Sequence, residues 1–112
     1  DLEEPRIRSV LARYGDAYSR LDAAAARAVW PTVDARALSR AFSTLRSQAL
    51  VLEQCEIAVT GDRAEAACRG TSTYVPAVGE ARLRREPRQW RFELARTDEA
   101  TWQIRNAQSR GR

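Results

Sequence analysis

The sequence predicts an α+β fold in which N-terminal helices pack on a curved antiparallel sheet of four strands. Before Leu45, apolar side chains recur at intervals of three and four residues, which is the spacing of one helix face. After Leu45 they alternate, and β-branched residues become frequent. A chain of 112 residues has the usual length of one domain with one core. We therefore expect a single domain over residues 1–112.

Three helices are expected in the N-terminal half. The first runs from Glu3 to Leu21. Asp22 suits the N-cap of a short second helix, because its carboxylate can accept from a free backbone amide, and Pro31 ends that helix. Asp34 can cap a third helix in the same way. The positions that face the core from the first and third helices are Ile7, Leu11, Tyr14, Tyr18, Leu21, Leu38, Phe42 and Leu45.

The segment from Cys55 to Cys68 predicts a β-hairpin. Two alternating runs are joined by Gly61 and Asp62, a pair that suits a two-residue turn with glycine at its first central position. In this register Cys55 lies opposite Cys68 on the apolar side of the hairpin. The leucines upstream have the opposite parity, so we expect a bulge near residues 53 and 54 that bends the first strand.

Two further strands are expected near the C-terminus. The second strand should end near Pro76, because proline does not donate a backbone hydrogen bond. Residues 78–88 contain Gly79, Pro87 and four arginines with little apolar alternation, and they predict a mobile loop. A tight loop is expected at residues 98–100 and a frayed tail from residue 109. The inward positions of the last two strands are Trp90, Phe92, Leu94, Trp102, Ile104 and Asn106.

Composition excludes several classes of site. The net charge is +4, the 19 basic residues are all arginine, and histidine is absent. Without the commonest general base and zinc ligand, we expect no metal site, no cofactor and no histidine-dependent hydrolase triad. No apolar run reaches the length that a membrane span needs. The sequence starts with Asp1 rather than methionine, and we expect it to be a fragment of a longer protein.

Five segments resemble the nuclear transport factor 2-like superfamily of cone-shaped domains with a cystatin-like fold. They are Tyr14–Asp22, Trp30–Asp34, Cys55–Cys68, Tyr74–Gly79 and the strands that contain Trp90 and Trp102. The resemblance covers nearly the whole chain. It is greatest to bacterial accessory domains, some of which are similar to segments of signalling proteins such as membrane-bound serine/threonine kinases. It implies a curved sheet around a long helix, with a pocket at the open end of the cone.

The implied pocket gives the aromatic residues two interpretations, since they can fill the core or line the mouth of the cone. Ketosteroid isomerases and polyketide cyclases resemble this fold and use an aspartate base with polar oxyanion partners. No acidic residue is expected on an inward position of the last two strands. We therefore expect no catalytic residue and no turnover of enolisable substrates, with an isomerase or cyclase as the alternative. The candidate pocket residues are Tyr14, Tyr18, Trp30, Tyr74 and Asn106.

The arginine-rich segment before Trp90 is a candidate anion-binding site. Guanidinium groups pair well with phosphate, and nucleic acid would also need exposed aromatic side chains for stacking. Trp90 shares the parity of the inward residues, so we do not expect nucleic acid. An anionic protein surface or lipid headgroup would suit the segment about as well as nucleic acid would. The alternative is that the segment is a solvated loop that binds no anion. The candidate residues are Arg82, Arg84, Arg85 and Arg88.

The hairpin register predicts a disulfide between Cys55 and Cys68. A two-residue turn makes them a non-hydrogen-bonded pair with α-carbons about 4.5 Å apart, within reach of a disulfide. The alternative is two buried free thiols in a cytosolic protein. With the disulfide, an extracytoplasmic location is favoured over a cytoplasmic one.

These observations favour a non-enzymatic ligand-binding or protein-interaction module, used as an accessory or sensor domain. Its partner would be a small molecule or a protein. We also expect a homodimer that forms through the outer face of the sheet, which no helix should cover. The residues at stake on that face are Arg69, Thr71, Thr73, Arg91 and Glu93.

Overall fold

A computed structural model describes residues 2–111 and confirms the α+β architecture. Three helices precede four strands that form one antiparallel sheet in the order β1-β2-β3-β4. The helices are α1 (Glu3–Ser19), α2 (Ala23–Val29) and α3 (Ala35–Ser43), and the strands are β1 (Leu45–Thr60), β2 (Arg63–Pro76), β3 (Arg84–Arg96) and β4 (Trp102–Gly111).

Both predicted helix caps are present. The Asp22 carboxylate accepts a hydrogen bond from the backbone amide of Ala25 at 3.0 Å, at the start of α2. The Asp34 carboxylate accepts one from the amide of Ala37 at 3.0 Å, at the start of α3. Each cap satisfies an amide that lacks a partner within its helix, which explains why these two aspartates stand where they do.

Helix α1 ends two residues earlier than predicted, at Ser19. Leu21 has a positive φ of 54°, and its amide donates to the Tyr18 carbonyl at 3.1 Å. The amide of Asp22 donates to the Ala17 carbonyl at 3.0 Å. These two bonds form a Schellman motif, which usually has glycine at the left-handed position. Nothing in the sequence signals this turn, because Leu21 continues the apolar spacing of the helix and is not a glycine.

The first hairpin has the predicted register. Thr60 pairs with Arg63 across a two-residue turn, and Gly61 has a φ of 60°. Glycine occupies this left-handed region at little cost. Cys55 pairs with Cys68, and their α-carbons lie 4.1 Å apart. The two cysteines form a disulfide, which confirms the prediction.

A β-bulge bends β1 where it was expected. The pairing with β2 shifts between Leu52 and Gln54, so Glu53 is an extra residue in β1. Leu52 pairs with Gly70, where an added Cβ would lie 1.8 Å from the Val51 carbonyl oxygen. The bulge therefore requires glycine at the facing position in β2.

The predicted loop over residues 78–88 is wrong in its second half. β3 begins at Arg84, whose partner is Tyr74, so only residues 77–83 connect β2 to β3. Because β2 continues to Pro76, it offers backbone groups to the polar start of β3, and pairing there needs no apolar alternation. Pro87 is tolerated because the described part of β4 ends opposite Arg88, so no described residue of β4 pairs with Pro87.

The last strand is also longer than predicted. Ser109 pairs with Trp90, and the pairing continues to Gly111, so the expected frayed tail from Ser109 is wrong within the described residues. The final residue, 112, lies outside them. Extension of β4 follows from the length of β3, because the early part of β3 supplies the partner that the tail pairs with.

A second bulge corrects the placement of Asn106. Glu93 pairs with Asn106 and Leu94 with Ile104, so Arg105 is an extra residue in β4. The bulge reverses the alternation that follows Ile104. Asn106 therefore lies on the outer face and donates to the Glu93 carboxylate at 3.4 Å, whereas the sequence predicted an inward position.

One core joins the helices to the sheet. Helix α1 lies on the inner face of the sheet, where the ring of Tyr14 meets Phe92 edge to face with centroids 4.9 Å apart. The outer face is polar and carries no helix. The buried apolar residues of the core are Ile7, Val10, Leu11, Tyr14, Val29, Ala64, Ala66, Cys68, Trp90, Phe92, Leu94, Trp102 and Ile104.

Ion pairs hold the end of the molecule where α1 begins. Arg96 near the end of β3 bonds to Glu3 of α1 at 2.6 Å and to Asp62 of the first turn at 2.8 Å. Its guanidinium also lies 6.0 Å from the centroid of the Trp102 ring. This end of the cone is therefore closed, and any cavity within the cone belongs at the other end.

No helix in the described part of the chain has the length and apolarity to cross a membrane.

Candidate functional site

A cavity lies at the open end of the cone, between the C-terminal half of α1 and the inner face of the sheet. Its volume is about 260 Å³. We call it the cone cavity. Apolar contacts at its base give way to hydroxyl, amide, carboxylate and guanidinium groups. It is lined by Tyr14, Tyr18, Leu45, Gln48, Leu50, Ser72, Tyr74, Glu86, Arg88, Trp90 and Ser109.

Four of these side chains form a continuous chain of hydrogen bonds. The Tyr74 hydroxyl donates to one carboxylate oxygen of Glu86 at 3.2 Å. The other oxygen accepts from Arg88 at 3.4 Å. Arg88 in turn donates to the Ser109 hydroxyl at 3.2 Å. These groups come from β2, β3 and β4, so the rim of the cavity is fixed by strand pairing.

Glu86 corrects the prediction that no acid faces inward from the last two strands. It lies two residues before Arg88 and four before Trp90, and all three share the parity of the inner face. The sequence analysis assigned residues 78–88 to a loop and so gave Glu86 no face. The parity shared with Trp90 was the signal that could have found it, once β3 was extended across Pro87.

Two tyrosines of α1 form the wall opposite the strands. The rings of Tyr14 and Tyr18 stack with centroids 4.2 Å apart. Burial raises the pKa of Tyr14 far above its ordinary value, and the neighbouring Tyr18 adds to this, while the charge of Arg88 acts in the opposite direction. Burial also raises the pKa of Tyr18, against a hydrogen bond with Tyr14 that lowers it. Both phenols therefore stay neutral well above the pH at which an exposed tyrosine ionises.

The raised pKa of Tyr14 predicts a loss of stability at alkaline pH. The unfolded chain releases the tyrosine proton near pH 10, whereas the folded chain retains it, so the free energy of unfolding is constant below pH 10 and falls as the pH rises above it. The slope for one such group is about 1.4 kcal/mol per pH unit. Urea unfolding between pH 9 and pH 11 measures it, and Tyr14→Phe should reduce the slope. An equal slope in Tyr14→Phe would contradict this account.

Three of the five candidate pocket residues come together in the cone cavity, namely Tyr14, Tyr18 and Tyr74. Trp30 ends α2 and packs half-buried against the core without lining the cavity. Asn106 lies on the opposite face of the sheet because of the bulge in β4. The residues that the sequence analysis missed are Gln48, Ser72, Glu86 and Ser109, together with the inward role of Arg88.

The four candidate anion-binding arginines do not form one patch. Arg82 lies in the connecting segment, with its guanidinium 3.7 Å from the Glu80 carboxylate. Arg84 and Arg88 share the parity of the inner face, whereas Arg85 lies on the outer face. Alternation along β3 thus separates side chains that a loop would have allowed to converge. No cluster of metal-ligating side chains occurs among residues 2–111.

No protein-family model and no curated protein matches the chain. Solved structures do match it. A nuclear transport factor 2-like superfamily protein from Salmonella enterica has a TM-score of 0.83 at 14% identity, covering 94% of this chain and 87% of that chain. A family protein from Streptomyces avermitilis, described as a candidate dehydratase, has a TM-score of 0.80 at 14% identity and covers 94% and 93%. A ketosteroid isomerase-like protein from Erwinia carotovora has 0.61 at 18%, covering 94% and 92%.

These likenesses concern the fold. At such low identity, the chemistry of a similar protein does not transfer to the side chains of this one. The three coverages exceed nine tenths of this chain, so the shared architecture includes both the helices and the whole sheet.

Proposed function

The chain has the nuclear transport factor 2-like, cystatin-like fold, and on that premise we propose that it is a non-enzymatic binding module for a small molecule in the cone cavity. The chain of hydrogen bonds from Tyr74 through Glu86 and Arg88 to Ser109 carries this proposal. These groups are placed before any ligand arrives, and ligand sites commonly combine an apolar cavity with a few fixed polar groups.

The same hydrogen bonds favour binding over catalysis. Both oxygens of the Glu86 carboxylate already accept from protein donors, Tyr74 and Arg88. A general base needs an oxygen within hydrogen-bond reach of the proton that it removes. The raised pKa of Tyr14 keeps that phenol neutral at physiological pH, so it acts as a donor and not as a base.

The size and lining of the cone cavity limit the ligand. A volume of about 260 Å³ is at the small end for ligand sites, so the ligand has one or two rings. The ring of Tyr18, which is half-buried, suits a flat apolar body. Tyr18 lines the cavity, and its hydroxyl suits a ketone or hydroxyl oxygen on the ligand, because the raised pKa keeps the phenol protonated.

A second function is favoured by one observation, the inward position of Glu86. With a phenol pair on α1 and a carboxylate on β3, the cone cavity contains the donor and acid types that an isomerase or cyclase would use. For that activity the substrate would have to displace Tyr74 or Arg88 from the carboxylate. We therefore rank this function second.

The test is titration of the protein with acetophenone, 2-cyclohexenone and 4-hydroxyacetophenone, followed by tryptophan fluorescence and calorimetry. We expect saturable binding of at least one probe with one site per chain. Glu86→Gln should weaken it about tenfold, because it removes the charge that positions Tyr74 and Arg88 at the rim, and hydrogen bonds to charged groups contribute about 1.5–3 kcal/mol. Glu65→Gln is the matched control, because Glu65 is exposed on the outer face.

Two outcomes would contradict the binding proposal. The first is that none of the three probes binds; the second is that Glu86→Gln and Glu65→Gln have the same effect. Deuterium exchange at the carbons next to the carbonyl, followed by nuclear magnetic resonance, tests the second function. Exchange that is catalysed by the protein and lost in Glu86→Gln would replace the binding proposal with the enzymatic one.

We further propose that the module serves a larger protein as an accessory or sensor domain and works outside the cytoplasm. A homodimer through the outer sheet face is the competing proposal for that face, because a second copy there would exclude a ligand. The disulfide supports the location, because such bonds persist in oxidising compartments. The outer face carries no helix and is open to a second copy, and Arg69, Thr71 and Glu93 lie on it. Sedimentation measures the pairing directly and is included in the experiment below.

A further inference from the structure

A second and larger cavity lies on the outer face of the sheet, at the level of the disulfide. Its volume is about 920 Å³. We call it the arginine trough. Cys55, Cys68, Trp90 and Ser109 point away from it and contribute only the floor, because they belong to the inner face. Its walls are two rows across the four strands, one of Gln54, Arg69, Gln89 and Arg110 and one of Glu56, Ala67, Arg91 and Gln108.

Strand pairing places three arginines at neighbouring positions along the arginine trough. Arg69 on β2 and Arg110 on β4 belong to one row, and Arg91 on β3 lies in the next row between them. Diagonal neighbours of this kind have α-carbons about 7–8 Å apart. All three residues are exposed. They can therefore reach one small ligand from three directions.

The charges of these arginines have no acidic partner within the described residues. Arg69 donates to the side-chain oxygen of Gln54, and Arg110 donates to that of Gln89 at 3.4 Å. Arg91 donates to no described side chain. Neutral glutamines position two of the guanidinium groups without cancelling their charge, which leaves several N–H donors of each free.

Ala67 makes room at the centre of the trough. It lies in the row of Arg91, next to that residue across the strands, and its methyl group is exposed. A longer side chain here would fill the space between the arginines. The residue is thus a means to block the trough without changing its charge.

We propose that the arginine trough binds a small multivalent oxyanion, with several phosphate or sulfate groups. Guanidinium groups bind such oxygens in pairs of parallel hydrogen bonds, which three converging arginines can supply together. The acidic groups are placed at the boundary. Glu56 lines the trough from the edge strand β1. Glu65 and Glu93 form the next row on one side, and Glu53 bonds to Thr71 on the other, so the acids flank the arginines.

Nucleic acid is not the favoured occupant. Single strands bind most proteins through exposed aromatic side chains on which bases stack, in addition to basic groups. The only aromatic residue among the trough residues is Trp90, which is 3% exposed and points into the core. The trough offers charge without a stacking surface, which fits compact phosphate or sulfate groups better.

Calorimetric titration with inorganic tripolyphosphate tests the proposal, and a trisulfated disaccharide in parallel distinguishes phosphate from sulfate chemistry. We expect one site per chain. Arg91→Gln should weaken binding about tenfold, the effect of losing a charge-assisted hydrogen bond. Ala67→Leu should weaken it at unchanged charge. Arg63→Gln is the matched control, because Arg63 is exposed on the same face two rows away, and it should change affinity by less than about twofold.

Any result other than the expected ones overturns the proposal. An equal effect of Arg63→Gln and Arg91→Gln would mean diffuse attraction to a basic surface, and binding that Ala67→Leu leaves unchanged would place the anion elsewhere. A mixed-sequence oligonucleotide that binds tighter than both anions and depends on Arg91 would make the partner nucleic acid. If neither anion binds and the protein sediments as a dimer that Ala67→Leu dissociates, the face is an interface between two copies.

Discussion

Replacing Gly70 with alanine is expected to cost about 3 kcal/mol of the free energy of unfolding, at the upper end of the penalties for overpacking. The added Cβ would lie 1.8 Å from the carbonyl oxygen and 2.9 Å from the carbonyl carbon of Val51, and 3.1 Å from the amide nitrogen of Glu53. All three atoms belong to the backbone, so no side-chain rotation relieves the contact. Either β1 separates from β2 at the bulge or the bulge changes its register.

Gly15→Ala is the matched control for Gly70→Ala, and the expected effect has the opposite sign. Gly15 lies inside α1, and an added Cβ would be 3.5 Å from the Leu50 carbonyl oxygen, an ordinary contact. Alanine in place of glycine within a helix gains about 0.5–1 kcal/mol. Urea unfolding of the two variants measures both. Similar stabilities of Gly70→Ala and Gly15→Ala would mean that the bulge does not need glycine.

Loss of the disulfide is the second large expected effect. The bond joins residues 13 apart in sequence and restricts the unfolded chain, and removing it should lower the free energy of unfolding by about 3 kcal/mol in the chain-entropy model. Cys68 is 1% exposed, so its thiol would stay in the core and the inner face would keep its packing. The measurement is urea unfolding of the oxidised protein and of the protein treated with dithiothreitol.

The double variant Cys55→Ala/Cys68→Ala provides the control for reduction. Its stability should match that of the reduced wild-type protein, apart from the loss of two small side chains, and dithiothreitol should not change it. A wild-type protein whose midpoint is the same with and without dithiothreitol would contradict the expected contribution of the bond. Mass spectrometry after alkylation confirms the state of the thiols in each sample.

The parts of the fold that the sequence predicted correctly are those set by local chemistry. Asp22 and Asp34 mark the N-termini of α2 and α3, because a capping carboxylate accepts a hydrogen bond from the backbone amide three residues further on. Gly61 and Asp62 determine the register of the first hairpin, because a two-residue turn leaves one way to pair the strands, and the disulfide follows from that register.

The failures share a different cause. Glu86 and Arg88 were assigned to a loop because Pro87 and a run of charges look like a break in the sequence, whereas pairing with the long β2 makes this segment a strand. Asn106 was placed inward because parity was counted through Arg105, where β4 has a bulge. A neighbouring strand determines both features, and a single segment of sequence carries little signal of its neighbour. Most of the polar rim of the cone cavity was missed for this reason.

The strand order has a consequence for how the chain folds during synthesis. Each strand pairs with its neighbour in sequence, so all three hairpins of the sheet can form as soon as they leave the ribosome. Helix α1 is made first, but its partners come late, since Tyr14 packs on Phe92 and Glu3 pairs with Arg96, 93 residues along the chain. The part of α1 that packs on Phe92 therefore stays uncovered until β3 emerges, and a chain truncated before Trp90 would leave it exposed.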